Sequence, residues 1–212
     1  MTAIGTAELK KMFDAIAAAI EADKDRLCRL DGVIGDADHG IAMALGFGAV
    51  RDALAALDLS AIEPTALLNT AAKSFLNAVG ASSGPLYATA FMRAAAAVKG
   101  KATLAADDVV AMVQAMAQGI KDRGKAEIGE KTMIDAWQPA AEAAAAAHAA
   151  GQSLAESLQA ALTAAERGAE ATKDMIAAKG RSSRLGERSL GHIDPGAASA
   201  VTVIAAIRKS LG

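Results

Sequence analysis

Asp31, Asp36 and Asp38 lie close together in the stretch DGVIGDADHG at 31–40. Glycines break this stretch, so the chain can turn several carboxylate oxygens toward one point, a donor set that suits a hard cation such as Mg²⁺. An isolated Asp-x-Asp is more often a turn or a helix cap; three aspartates in one segment favour a metal. An EF-hand is excluded, because its bidentate Glu would have to stand at Ala42 or Phe47. Zinc does not fit either, since His39 is the one nitrogen ligand nearby and Cys28 is the single cysteine.

Three further segments are rich in glycine, GASSGP at 80–85, RGKAEIGEKT at 123–132 and GRSSRLGERSLGHIDPG at 180–196, and the last two carry a cluster of Lys and Arg. An acidic metal segment beside basic, glycine-rich ones points to a phosphate-bearing ligand. The cation bridges carboxylates to phosphate oxygens, and backbone N–H groups with Lys or Arg take the remaining charge. A nucleotide or a diphosphate is the natural candidate. The stretch GIKDRGKA at 119–126 falls one residue short of a Walker A motif, with Ala126 where Ser or Thr must reach Mg²⁺, and it follows a helical pattern where a P-loop follows a strand. Gly80–Gly84 matches G-x-S-x-G, but a nucleophile elbow also needs a strand before the serine, and AAKSFLNAV has helical spacing. Its small residues are read as letting a ligand approach the backbone. Trp137, Tyr87, Cys28, Met112 and Met116 read as packing residues, and His148 as a surface or packing residue of an alanine-rich helix. Met133 stands near enough to the third segment to touch a base.

These residues must be positioned by helices. Aromatic residues make up 3% of the chain and alanine, the best helix former, dominates. From 7 to 30, Leu9, Met12, Phe13, Ile16, Ile20, Leu27 and Leu30 fall on one helical face. Glycine, proline and polar clusters predict helices near 7–30, 40–57, 64–79, 85–99, 106–122, 132–149, 153–178 and 195–210. Ser153 with Glu156 forms a capping box, and Asp194 before Pro195 reads as an N-cap with proline at the first helical position. VTVIAA at 201–206 is kept helical because it lies between that start and the basic end Arg208–Lys209.

The expected fold is therefore all-α, an antiparallel up-and-down eight-helix barrel or bundle in one domain over 1–212. In that topology the connections after odd-numbered helices share one end. Those are the four segments above, whereas the connections near 58–63, 100–105 and 150–152 are plain. One end of the protein should thus be a polar, glycine-lined site.

Composition excludes several classes. The 212 residues are 53% hydrophobic with a formal net charge of -2, which argues against disorder and, lacking a basic excess or a basic run, against nucleic-acid binding. No apolar run is long enough to suggest a leader or a membrane span, and a lone cysteine suits a reducing compartment, so a cytoplasmic protein without membrane partners is expected.

The segments DGVIGDADHG, SSGPLYATAF, RGKAEIGEKTMIDAW and GRSSRLGERSLGHIDPGA resemble, in order and spacing, the nucleotide-binding L subunit of dihydroxyacetone kinase, from about residue 8 to the end. This resemblance implies an eight-helix barrel holding ADP or ATP at one end through two Mg²⁺ ions. It implies Asp31, Asp36 and Asp38 as metal ligands, and His39, Gly40, Ile41 and Ala42 at the phosphates, where helix N–H groups are free. Ala81, Ser82, Gly124, Met133, Arg181, Asp194, Pro195 and Gly196 match the positions lining the nucleotide, with Arg181 assisting transfer. Three positions depart from the family pattern: Ala37 and Ala88 replace glycines, and Arg184 replaces an aromatic.

The activity so implied is phosphoryl transfer to a ketose held by a separate K subunit. The phosphate would come from phosphoenolpyruvate through a phosphohistidine-carrying M subunit, with ADP resident as a cofactor. Two other readings are an L subunit using exchangeable ATP on a related ketose such as erythrulose, and a non-catalytic nucleotide-binding module that regulates a partner.

Overall fold

The computed structural model describes residues 3–80 and 83–212. Among the described residues it contains eight α-helices: α1 (Thr6–Ile34), α2 (His39–Ala55), α3 (Pro64–Ala78), α4 (Ser83–Ala97), α5 (Ala106–Gly124), α6 (Ile134–Ala149), α7 (Leu154–Ala171) and α8 (Pro195–Leu211). The one β-type pairing among them is an isolated bridge between Ile4 and Leu104. Each helix packs on the next, and α8 returns against α1, so the eight close into a ring. No described helix is long and apolar enough to cross a membrane.

Local chemistry sets most helix starts. Ser153 Oγ accepts the Glu156 N–H at 3.3 Å while Glu156 Oε2 accepts the Ser153 N–H at 2.8 Å, the reciprocal pair of a capping box. Asp194 Oδ2 accepts the Ala197 N–H at 2.7 Å ahead of Pro195. Two boundaries differ from the sequence expectation. Helix α1 runs on to Ile34, so Asp31 belongs to its last turns rather than to a loop. Helix α7 stops at Ala171, followed by a 3₁₀ turn Thr172–Asp174, so residues 175–178 extend the connection to α8 instead of the helix.

The ring interior is filled by Phe13, Phe47, Phe75, Tyr87, Phe91 and Trp137, all buried and linked edge-to-face or tilted with centroids 5.0–6.3 Å apart. The scarcity of aromatic residues is thus offset by concentrating them in one cluster. Alanine serves the helix interfaces. Along α6 and α7 the buried Ala136, Ala140, Ala144, Ala161 and Ala165 permit close approach, and a Cβ at Gly168 would lie 1.9 Å from the Asp135 carbonyl oxygen. Pro139, inside α6, has no N–H to give that same carbonyl, so the gap in one helix is covered by the glycine of the next.

Candidate functional site

The connections α1–α2, α3–α4, α5–α6 and α7–α8 meet at one end of the ring around a cavity of about 670 Å³. Its walls include Asp31, Asp36, Asp38, His39 and Ala42 from the first connection and the start of α2, Gly80 and Ser83 from the second, Gly124, Lys131 and Met133 from the third, and Arg181, Asp194, Pro195 and Gly196 from the fourth. Ala81 and Ser82 lie outside the described residues. Gly40 and Ile41 are not cavity walls: a Cβ at Gly40 would lie 2.1 Å from the Lys24 carbonyl oxygen, and the Ile41 side chain is 51% exposed on the rim.

Asp31 is the best fixed of the three aspartates, being 8% exposed. Its Oδ2 accepts the N–H groups of Asp38 at 2.9 Å and His39 at 3.2 Å, folding residues 35–38 back over the end of α1. That fold requires Gly35, where a Cβ would lie 2.2 Å from Asp31 Oδ1, and it places Ala37 in the left-handed region at φ 64°. One oxygen from each of Asp31, Asp36 and Asp38 then lies within 4.8 Å of the others, a hard-donor cluster that fits a divalent cation such as Mg²⁺. Arg181 faces this cluster, paired with Asp36 and 4.0 Å from Asp38.

The start of α2 is partly committed. The His39 N–H goes to Asp31, and the Ala42 N–H goes to the Asp38 carbonyl at 2.9 Å. Gly40 and Ile41, second and third in the helix, retain the N–H groups that a helix start leaves without intrahelical partners. His39 Nε2 lies 2.9 Å from Ser199 Oγ of α8, and that hydroxyl donates to the Gly196 carbonyl at 2.9 Å. Burial lowers the His39 pKa, with the charge of Asp31 pulling the other way, so the ring is neutral at pH 7.

At the start of α8, burial raises the Asp194 pKa to about 7, against the Ala197 N–H and the charge of Lys131, which lower it. Apolar walls come from Val79, Leu86, Ile120 and Met133. Gly196 is held against Met133, where a Cβ would come within 3.4 Å of the Met133 Cβ. Gly84 is small for a reason different from the sequence reading: a Cβ there would lie 1.6 Å from the Val79 carbonyl oxygen, so its size serves the turn into α4, whereas Gly80 faces open space. Helix α3, not the strand that a nucleophile elbow requires, precedes Gly80.

Residues 33–209 match the model of the DAK2 domain family. The chain belongs to that family. This DAK2 domain is 41% identical over 180 residues to a protein of Escherichia coli named the ADP-binding subunit DhaL of phosphoenolpyruvate-dependent dihydroxyacetone kinase, covering 84% of this chain and 83% of the relative. It is 38% identical over 191 residues to a Listeria innocua protein of the corresponding name, covering 90% and 89%. The crystal structure of the dihydroxyacetone kinase of C. freundii in complex with AMP-PNP and Mg²⁺ superposes with a TM-score of 0.73 at 26% identity. That match covers 99% of this chain and 35% of the other, so the domain spans about a third of that kinase.

Lys131 on the cavity wall, and Ser199 and Asp135, which hydrogen-bond residues around it, were not singled out by the sequence reading. Ser199 had a faint signal, a hydroxyl in the small-residue run PGAASA at a helix start. Lys131 and Asp135 had none, since both sit in a segment already rich in charge. Asp135 is buried and accepts the N–H groups of Gly129 at 2.6 Å and Thr132 at 2.7 Å, shaping the turn that presents Met133.

Proposed function

We propose that this chain is the nucleotide-binding subunit of a dihydroxyacetone kinase, one domain over 1–212, passing phosphate from a Mg²⁺-bound adenine nucleotide to a ketose held on a separate K subunit. The observation that carries the reading is the meeting of an acidic cluster, an Arg and a helix start at one cavity, in a fold whose relatives are named ADP-binding subunits.

Asp31, Asp36 and Asp38 would hold two Mg²⁺ ions, whose charge screens the diphosphate and the transferring group. The free N–H groups of Gly40 and Ile41, with the positive end of the α2 dipole, receive phosphate oxygens. His39 is kept neutral and oriented by Ser199 at the side of these phosphates. Arg181, which lies against Asp36 and Asp38, would offer its guanidinium to the charge that develops on transfer. Val79, Leu86, Ile120 and Met133 receive the base, while Gly124, Ala81, Ser82 and the Asp194–Pro195–Gly196 turn let the nucleotide lie against the backbone. No nucleophile of this chain is needed.

The nearly full-length match to ADP-binding subunits favours resident ADP, recharged in place by a phosphohistidine-carrying M subunit. Relatives named erythrulose kinases are matched over 34% to 36% of their length, which gives the ATP-exchanging reading less support. The purified chain is denatured and its released nucleotide and Mg²⁺ quantified, then it is reconstituted with K and M subunits, dihydroxyacetone and phosphoenolpyruvate. Stoichiometric ADP and phosphoenolpyruvate-dependent phosphorylation are expected. An empty chain active with ATP alone would move the assignment to the exchanging type, and a chain that binds neither nucleotide would end it.

A further inference from the structure

Lys131 is 2% exposed and held in the left-handed region at φ 59°, next to Thr132 and Met133 at the entry to α6. A buried ammonium is costly unless hydrogen bonds and opposite charge offset its lost hydration. Its Nζ donates to the carbonyl oxygens of Thr172 and His192, and Asp194, Asp135 and Asp174 oppose its charge.

The two carbonyls bracket the long connection between α7 and α8. Thr172 opens the 3₁₀ turn that ends α7, and His192 stands two residues before Asp194, the N-cap of α8. The Thr172 hydroxyl also accepts the Asp194 N–H at 2.9 Å. Both ends of the segment that carries Arg181 are thus pinned to one ammonium. Tying two carbonyls needs donors but no charge; the charge has its use at Asp194, whose buried carboxylate caps the helix on the cavity wall.

We propose that Lys131 is a positioning residue for phosphoryl transfer, holding the 172–196 connection so that Arg181 and the Asp194–Pro195–Gly196 turn meet the phosphates of a bound nucleoside diphosphate. This rests on the nucleotide reading above. Lys131 acts through the backbone it ties, because two of its three ammonium protons are engaged by carbonyls. A substitution here therefore displaces Arg181 and the turn together.

The test uses the full chain carrying Lys131→Met or Lys131→Arg, with wild type and Asp36→Ala alongside. Melting temperature without nucleotide and Mg²⁺–ADP affinity by calorimetry are read separately. Lys131→Met is expected to weaken Mg²⁺–ADP binding at least about tenfold, and Lys131→Arg, which keeps the charge with a different reach, about threefold. A purely structural lysine would lower the melting temperature and leave the affinity of the folded chain unchanged, which overturns the proposal. Should Lys131→Met not fold, wild-type affinity in Lys131→Arg overturns it equally. A wild-type chain that binds no Mg²⁺–ADP would instead bring down the nucleotide reading and this proposal with it.

Discussion

His39 on α2 and Ser199 on α8 are joined by a 2.9 Å contact between Nε2 and Oγ, across 160 positions of sequence. The same hydroxyl donates to the Gly196 carbonyl and reaches the hydroxyl of Tyr87, whose pKa burial pushes up to about 12. One serine thus connects the start of α2, the turn before α8 and the aromatic core. Ser199→Ala leaves the buried ring and phenol each short of a partner, so it should cost about 1–3 kcal/mol of stability, read by urea unfolding. An unchanged unfolding midpoint would show that the contact has no energetic weight.

Asp36 is exposed and caps no helix, so its loss should spare the fold. Asp36→Ala is expected to remove Mg²⁺-dependent ADP binding while the helical circular dichroism stays as in wild type. Asp31→Ala should lose binding as well and also cost about 1–3 kcal/mol, because two backbone N–H groups lose their acceptor. Undiminished ADP affinity in Asp36→Ala would sink the metal assignment.

Ala37 occupies a left-handed conformation, φ 64°, which glycine adopts without Cβ strain. The Cβ strain there is on the order of 1–2 kcal/mol, against a smaller entropic cost for glycine. Ala37→Gly should therefore raise stability by up to about 1 kcal/mol, measured by thermal melting. A lowered melting temperature would show that the loop has relaxed around the alanine.

Asp194 gives the stability a pH signature. Its folded pKa is raised by burial from 3.8 to about 7, so the folded state binds the proton more tightly than the unfolded state does. Its contribution is full below pH 4 and is lost as pH rises through about 7. His39 works in the opposite sense: burial lowers its pKa from 6.5, so the fold gains stability as pH rises toward that value. Asp194→Asn keeps an acceptor for the Ala197 N–H and removes the first effect. The variant's stability, measured by urea unfolding from pH 4 to 8, should fall less steeply with pH than that of wild type. Parallel curves would mean that Asp194 titrates normally.

Much of this protein was legible along the chain because its signals act within a turn or two. Ser153 with Glu156 and Asp194 with Pro195 mark helix starts by hydrogen bonds to neighbours three residues away, and helical spacing of apolar residues reports which face is buried. The alternation of plain and glycine-rich connections was enough to place the site at one end, because short links between antiparallel helices leave no other choice. Closure of the ring made the remaining decisions. Asp31 proved to be a helix residue whose carboxylate orders the loop after it. Gly84 proved small for the sake of the Val79 carbonyl rather than a ligand, and Gly168 makes room for the Asp135 carbonyl. Ser199 and Lys131 found their partners 160 and up to 61 residues away. Such pairings depend on which buried polar groups the packed helices bring together, and desolvation compels those groups to pair only once the whole ring has formed.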